Sequence, residues 1–295
     1  SPQNTLVTGG TGRYEKGGVG TLAFINQNDL SDLADDDLWV KEGWRWQVAD
    51  GPFEFDEFTA YDGTAVTGPD DEDVLLSFND FTLLQGAIWY PNTHSTTLTA
   101  NTVTLEESCK ILSSAQSLVL NISSAMTLAT LTEINSETLA VNGTSETTLD
   151  ALAAISTKTL NWNGSTLVIN TDASVDVNGG NSGEAAGTGK SNTTNVAGNG
   201  GNHGGVGSRG FNSANNENSY YGSALRPTNA GSNGGTTVSG AAGIGGGIIR
   251  IQLSDALNLD GVISANGTSG GNGYNSRGGG GGAGGSIWVT TDVLA

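Results

Sequence analysis

The chain has 295 residues, 46 of them glycine and 36% hydrophobic, and carries a net charge of −19 from 11 basic and 30 acidic residues. That length supports a sizeable buried core, but not one of ordinary composition along the whole chain. The acidic balance excludes nucleic acid and anionic membrane surfaces, no apolar run approaches the ~18 residues of a membrane span, and glycine without a three-residue period argues against a collagen triple helix.

Ser, Thr, Asn and Gly disfavour helix, so the predicted elements are strands and loops. Residues 1–30 hold an N-terminal strand and a glycine tract. Asn4-Thr5-Leu6-Val7-Thr8 reads as a free strand, with Thr5, Leu6 and Val7 placed to complete a neighbour's sheet. The tract Gly9–Gly20 then leads into Thr21-Leu22-Ala23-Phe24-Ile25. Residues 31–94 form a small acidic, aromatic β region with four of the six tryptophans, in which Trp44-Arg45-Trp46-Gln47-Val48 alternates as a half-buried strand does. Trp39, Trp44 and Trp46 read as the core of a small β-domain in preference to a sugar-stacking platform. Asp35-Asp36-Asp37 and Asp70-Asp71-Glu72-Asp73 offer hard oxygen ligands for Ca2+, although neither has EF-hand spacing and plain surface charge accounts for both.

Residues 95–178 repeat. Ser117-Leu118-Val119-Leu120-Asn121, Thr138-Leu139-Ala140-Val141-Asn142 and Thr159-Leu160-Asn161-Trp162-Asn163 follow one another at one constant interval. Leu128, Leu131 and Ile134 match Leu149, Leu152 and Ile155 at that same interval. A fixed period of roughly 20 residues implies a parallel β-solenoid, each repeat one coil stacked on the last. Alternation turns Leu118 with Leu120, Leu139 with Val141, and Leu160 with Trp162 inward, leaving each asparagine on the outer face or at a corner. Asn-Gly in two of the copies suggests a turn there. Thr97–Asn101, about one period before the first copy, and Ser174–Asn178, a shorter step after the last, read as further copies.

Residues 179–295 continue the solenoid as a glycine-rich β region with 33 of the 46 glycines. Ile248–Leu253 is predicted as a strand, Leu257–Gly261 leads into Val262–Gly267, and the glycine segment from Gly270 to Gly285 runs into Ser286–Thr291. Disorder is the default for such composition, but glycine segments held at both ends can pack side by side as polyproline-II-like helices. The Tyr- and Arg-bearing glycine tracts before Leu22 and before Ile287 are alike, so the chain reads as beginning and ending partway through similar units, with Ile287, Trp288 and Val289 as an uncapped strand.

Asn121, Asn142 and Asn163 each open an N-x-S/T triplet, as do Asn192 and Asn266, and these five are the candidate glycosylation sites. An asparagine hydrogen-bond ladder is the competing reading of the three in register. Together with a start at Ser1 that suits a processed product, the triplets point outside the cell. Catalysis finds little support. His94 and His203 are the two histidines, Cys109 is the lone cysteine, and Lys110 and Lys158 are the only basic residues between 95 and 178, so neither a triad, a zinc site nor a polysaccharide-cleaving site assembles from the sequence. No catalytic, cofactor or metal residue is assigned. Threonine pairs at 127/148 and 138/159 suggest an ice-binding surface only weakly, since flat Thr-x-Thr rows are missing.

In the aligned triplets at Asn121, Asn142 and Asn163 and the glycine tracts before Ile248 and Ile287, the chain resembles glycosylated extracellular fibril (glycofibril-like) proteins of aquatic microorganisms. The resemblance is architectural and covers 95–295. It implies an all-β structural subunit, secreted and carrying N-linked glycans, whose partners are copies of itself joined head to tail. The alternative is a monomeric cell-surface adhesin or carbohydrate-binding module.

Overall fold

The computed structural model describes residues 22–26, 37–41, 43–45, 53–61, 63–68, 73–91, 94–114, 116–181, 197–211, 221–274 and 277–295. Among these there is no α-helix, and eighteen strands form one sheet. In chain order they are β1 (Leu22–Asn26), β2 (Asp37–Lys41), β3 (Trp44–Arg45), β4 (Phe53–Ala60), β5 (Ala65–Thr67), β6 (Val74–Leu83), β7 (Ile88–Tyr90), β8 (Ser95–Leu105) and β9 (Lys110–Leu112). Then follow β10 (Ser117–Leu128), β11 (Glu133–Leu149), β12 (Ala154–Ile169), β13 (Ser174–Asp176), β14 (Ile248–Leu253), β15 (Ala256–Leu259), β16 (Val262–Ser264), β17 (Ser286–Thr290) and β18 (Val293–Leu294).

All pairings but one are parallel, and they sort into three faces of a β-solenoid. The first face stacks the opening half of each long strand: Leu76, Leu98, Leu120, Val141, Trp162, Ile251 and Val289 lie on successive rungs. The second stacks the closing half, as in Leu83, Leu105, Leu128, Leu149 and Ile169. The third stacks short strands, with Val66, Trp89, Ile111, Ile134, Ile155, Val175 and Ile263 in register. Strand alternation sends these columns inward, and their residues from 66 to 175 are buried. The ladder bonds of each rung run to the coils on either side of it, so hydrogen bonding and apolar burial support the same axis.

Residues 31–94, distinct in composition, supply β2 to β7 to this same sheet, and Phe58, Phe81 and Trp89 join the common core. Phe58 and Phe81 stack at 5.1 Å between centroids, and Phe81 lies 5.2 Å from Trp89. Trp44 packs against that core; Trp46 lies outside the described residues.

One corner closes with the same turn in coil after coil. Thr64, Ala87, Cys109, Thr132, Ala153 and Ala173 donate backbone N–H bonds to the carbonyls of Tyr61, Leu84, Glu106, Ala129, Asp150 and Asn170. The residue before each donor has positive φ, namely Gly63, Gly86, Ser108, Leu131, Leu152 and Asp172, as the third position of a type II turn requires. Leu131 and Leu152, which match in sequence like core residues, therefore stand exposed at the turn tips.

Three sequence expectations need correction. Asn142-Gly143 and Asn163-Gly164 are not free turns, because β11 and β12 run through them with a bulge-like shift of register at the corner between the first two faces. Thr97–Asn101 lies two residues out of the expected alignment: Leu120 pairs with Leu98, and Asn121 with Thr99. Ser174–Asn178 begins on the third face, and the next rung of the first face is β14, beyond the long excursion. The two Gly-tract strands also differ, since β1 runs antiparallel to β2 whereas β17 is parallel to β14.

Both glycine excursions leave from one corner, after β13 and after β16, and return at the start of β14 and β17. Their described parts form a bundle of extended segments. Gly231, Gly234 and Thr237 donate to Gly246, Gly243 and Gly240; Gly243 and Gly246 to Gly280 and Ala283; Gly279, Gly282 and Gly285 to Gly271, Thr268 and Ala265. Steps of three residues are those of the threefold polyproline-II helix, and no strand ladder is present in these segments. Contact is backbone to backbone: a Cβ placed on Gly280 would lie 1.8 Å from the Asn199 carbonyl oxygen.

Candidate functional site

The long strands bend between the first two faces, and the residue just before the bend points outward on every rung. This column reads Ser77, Thr99, Asn121, Asn142, Asn163, Gln252 and Thr290. Three of the five predicted glycosylation residues are thus brought into one file. Their amides are linked, Asn142 Nδ2 donating to Asn121 Oδ1 and Asn163 Nδ2 to Asn142 Oδ1, each at 3.1 Å. Asn121 and Asn142 are half-buried and Asn163 is exposed. Asparagine recurs here because a stacked primary amide can donate to the rung below while accepting from the rung above. Asn266 stands apart, exposed in the shorter excursion, its backbone N–H donating to Asn178 Oδ1 at 2.6 Å. Asn192 lies outside the described residues.

A hollow of about 490 Å³ opens beside the lower end of the file. Its floor is Phe78, Ala100 and Ile122, and its walls are Thr99, Asn101, Asn121, Ser123, Asn142 and Gly143. Phe78, Ala100 and Ile122 occupy successive rungs beneath the hollow, each no more than 5% exposed. Gly143, at φ 86°, extends it. Ser123 Oγ donates to Asn101 Oδ1 at 3.0 Å and steadies one wall. Sequence reading missed the hollow because it depends on the true register of Ala100 under Ile122.

Of the assembly residues, Thr5, Leu6 and Val7 lie outside the described residues, while Ile287, Trp288 and Val289 form the middle of β17. Trp288 stacks on Arg250 of the adjacent rung, with the guanidinium carbon 5.0 Å from the ring centroid. Ile287 is 41% exposed. The acidic runs are seen only at their ends: Asp37 on β2, and Asp73, whose Oδ1 accepts the backbone N–H of Ser95 at 3.0 Å. Among the described residues no group of three His, Cys, Asp or Glu side chains is placed to hold a metal ion.

Lys110 and Lys158 each meet a carboxylate across a rung, Lys110 with Glu133 at 2.7 Å and Lys158 with Glu137. His203 Nδ1 lies 2.9 Å from the Gly284 carbonyl oxygen and its ring 5.2 Å from Tyr221, inside the glycine bundle. Cys109 is buried at the turn corner with Sγ 3.0 Å from the Leu84 carbonyl oxygen, and burial pushes its thiol up to about 11. A nucleophile needs the opposite shift. No helix among the described residues is long and apolar enough to cross a membrane.

The fold places the chain in the class of parallel β-solenoids. No family model matches it, and neither a curated protein nor a solved structure does.

Proposed function

We propose that this chain is a structural subunit of a secreted, N-glycosylated extracellular filament, assembled head to tail by strand addition and coil stacking. The observation that carries the reading is the unequal character of the two ends of the solenoid. Residues 179–295 contain five basic residues (Lys190, Arg209, Arg226, Arg250, Arg277) and five acidic ones (Glu184, Glu217, Asp255, Asp260, Asp292), so the whole net charge of −19 falls on 1–178. The neutral part also presents large exposed apolar side chains: Phe211, Leu225, Val238 and Tyr274 on the excursions, Val293 and Leu294 on β18. Two acidic ends repel one another, whereas a neutral, apolar end meets an acidic one without that repulsion, which leaves head-to-tail contact open to a rod of this kind. Contacts of that heterologous kind, if they do not close, generate filaments. On this reading Ile287–Val289 meets another copy, Thr5–Val7 adds to a neighbouring sheet, and the asparagine file carries glycans along one side.

Negative-stain electron microscopy of native material, before and after deglycosylation, tests it. Uniform filaments that become thinner on sugar removal are the expected result. Monodisperse particles, unchanged by deglycosylation, overturn it; a defined glycan retained by such particles moves the assignment to a monomeric carbohydrate-binding module, for which the corner hollow is the place to look.

A further inference from the structure

We propose that the hollow beside Asn121 seats the first sugar ring of an N-linked glycan on Asn121, holding that glycan against the protein while any glycan on Asn163 stands free in solvent. This rests on the reading that the aligned triplets are glycosylated.

Three observations lead to it. The ladder uses the Nδ2 groups of Asn142 and Asn163 but, of Asn121, only Oδ1. N-linkage replaces one hydrogen of Nδ2 and leaves Oδ1 as an acceptor, so a glycan on Asn121 keeps both ladder bonds. Second, Asn121 lines the hollow, whereas Asn163 is exposed and takes no part in it. Third, the lining suits a pyranose. A sugar ring has a C–H face and a rim of hydroxyl or acetamido groups. The hollow has an apolar floor in Phe78, Ala100 and Ile122 under an amide wall in Asn101. Because Asn101 Oδ1 accepts from Ser123, its Nδ2 is turned to donate elsewhere. The triplet's own serine thus helps build the seat. A carbohydrate covalently tethered beside its seat needs only weak contacts to remain there, since linkage raises the local concentration to the millimolar range.

The test is site-resolved release of glycan by a peptide-N-glycosidase from the native glycoprotein, followed by mass spectrometry of the Asn121 and Asn163 peptides. Release from Asn121 should be about tenfold slower than from Asn163 in the folded protein, the size of one or two hydrogen bonds, and equal after denaturation. Two variants localise the protection. Thr99→Trp, from an exposed wall position, fills the hollow, and Asn101→Ala removes its donor without touching the core; each should bring the two native rates within about threefold. Equal native rates in the unmodified protein, or protection that survives both variants, overturn the seat and leave the filament reading standing. A glycan on Asn163 with none on Asn121 does the same. Absence of glycan from every triplet overturns the seat together with the glycosylation on which it rests.

Discussion

Six residues in equivalent turns show how much local strain a stacked fold tolerates. The positive-φ position is glycine in the first two turns, then Ser108, Leu131, Leu152 and Asp172. Leu152 is 53% exposed, so its side chain contributes little to the core. A Cβ in the left-handed region costs roughly 1–2 kcal/mol, partly offset by the greater backbone entropy that glycine loses on folding, about 0.5–1 kcal/mol. Leu152→Gly should therefore stabilise the chain by about 0.5–1 kcal/mol, measured as a higher denaturant midpoint at unchanged slope; a lower midpoint refutes this. Cys109 belongs to the neighbouring column of small residues (Thr64, Ala87, Thr132, Ala153, Ala173), all buried. Its thiol titrates near 11 when folded against an ordinary 9.0, so between those values the unfolded chain loses its proton first. The thiol's contribution is complete below pH 9 and lost as pH rises through 11. Relative to Cys109→Ala, the unmodified protein should lose on the order of 2 kcal/mol of stability over that window, and a flat difference would show the thiol to be solvated.

Among the elements, the polyproline-II bundle is the most sensitive to a single methyl group. Gly280→Ala drives a Cβ into the Asn199 carbonyl and should raise amide exchange about 10- to 100-fold at Gly198, Gly201, Gly235 and Gly243, from roughly 1–3 kcal/mol of overpacking. Protection in β10, β11 and β12 should not change, because their bonds run through other rungs. Equal loss in both regions would mean that bundle and coils unfold as one. The coils at 117–169 were legible in the sequence because three of them share one length and one Leu/Asn pattern. Earlier coils are slightly longer, as the spacing of the turn residues Gly63, Gly86, Ser108 and Leu131 shows, and they fill the same inward columns with Phe. Their common membership was hidden by composition. The asparagine ladder was foreseen as an alternative. The hollow was not, since it depends on which residues of separate coils lie side by side and becomes visible only once the register is known.

At the scale of the whole molecule, rods of net charge −19 repel one another along their lengths, while the proposed end contacts join a neutral surface to an acidic one. Raising salt from about 10 to 150 mM shortens the Debye length from about 30 to 8 Å, so the critical concentration for assembly should fall, as light scattering can follow. Filaments that instead dissolve in salt would place the arginines, not the apolar surface, at the contact. The shared exit corner of the two excursions has a consequence in time. After β12 leaves the ribosome, the strand that pairs with its first-face half is delayed until Ile248, roughly 4–16 s at ordinary rates of synthesis. For that interval Leu160 and Trp162 stand at an open sheet edge, with the strand that will cover them not yet made.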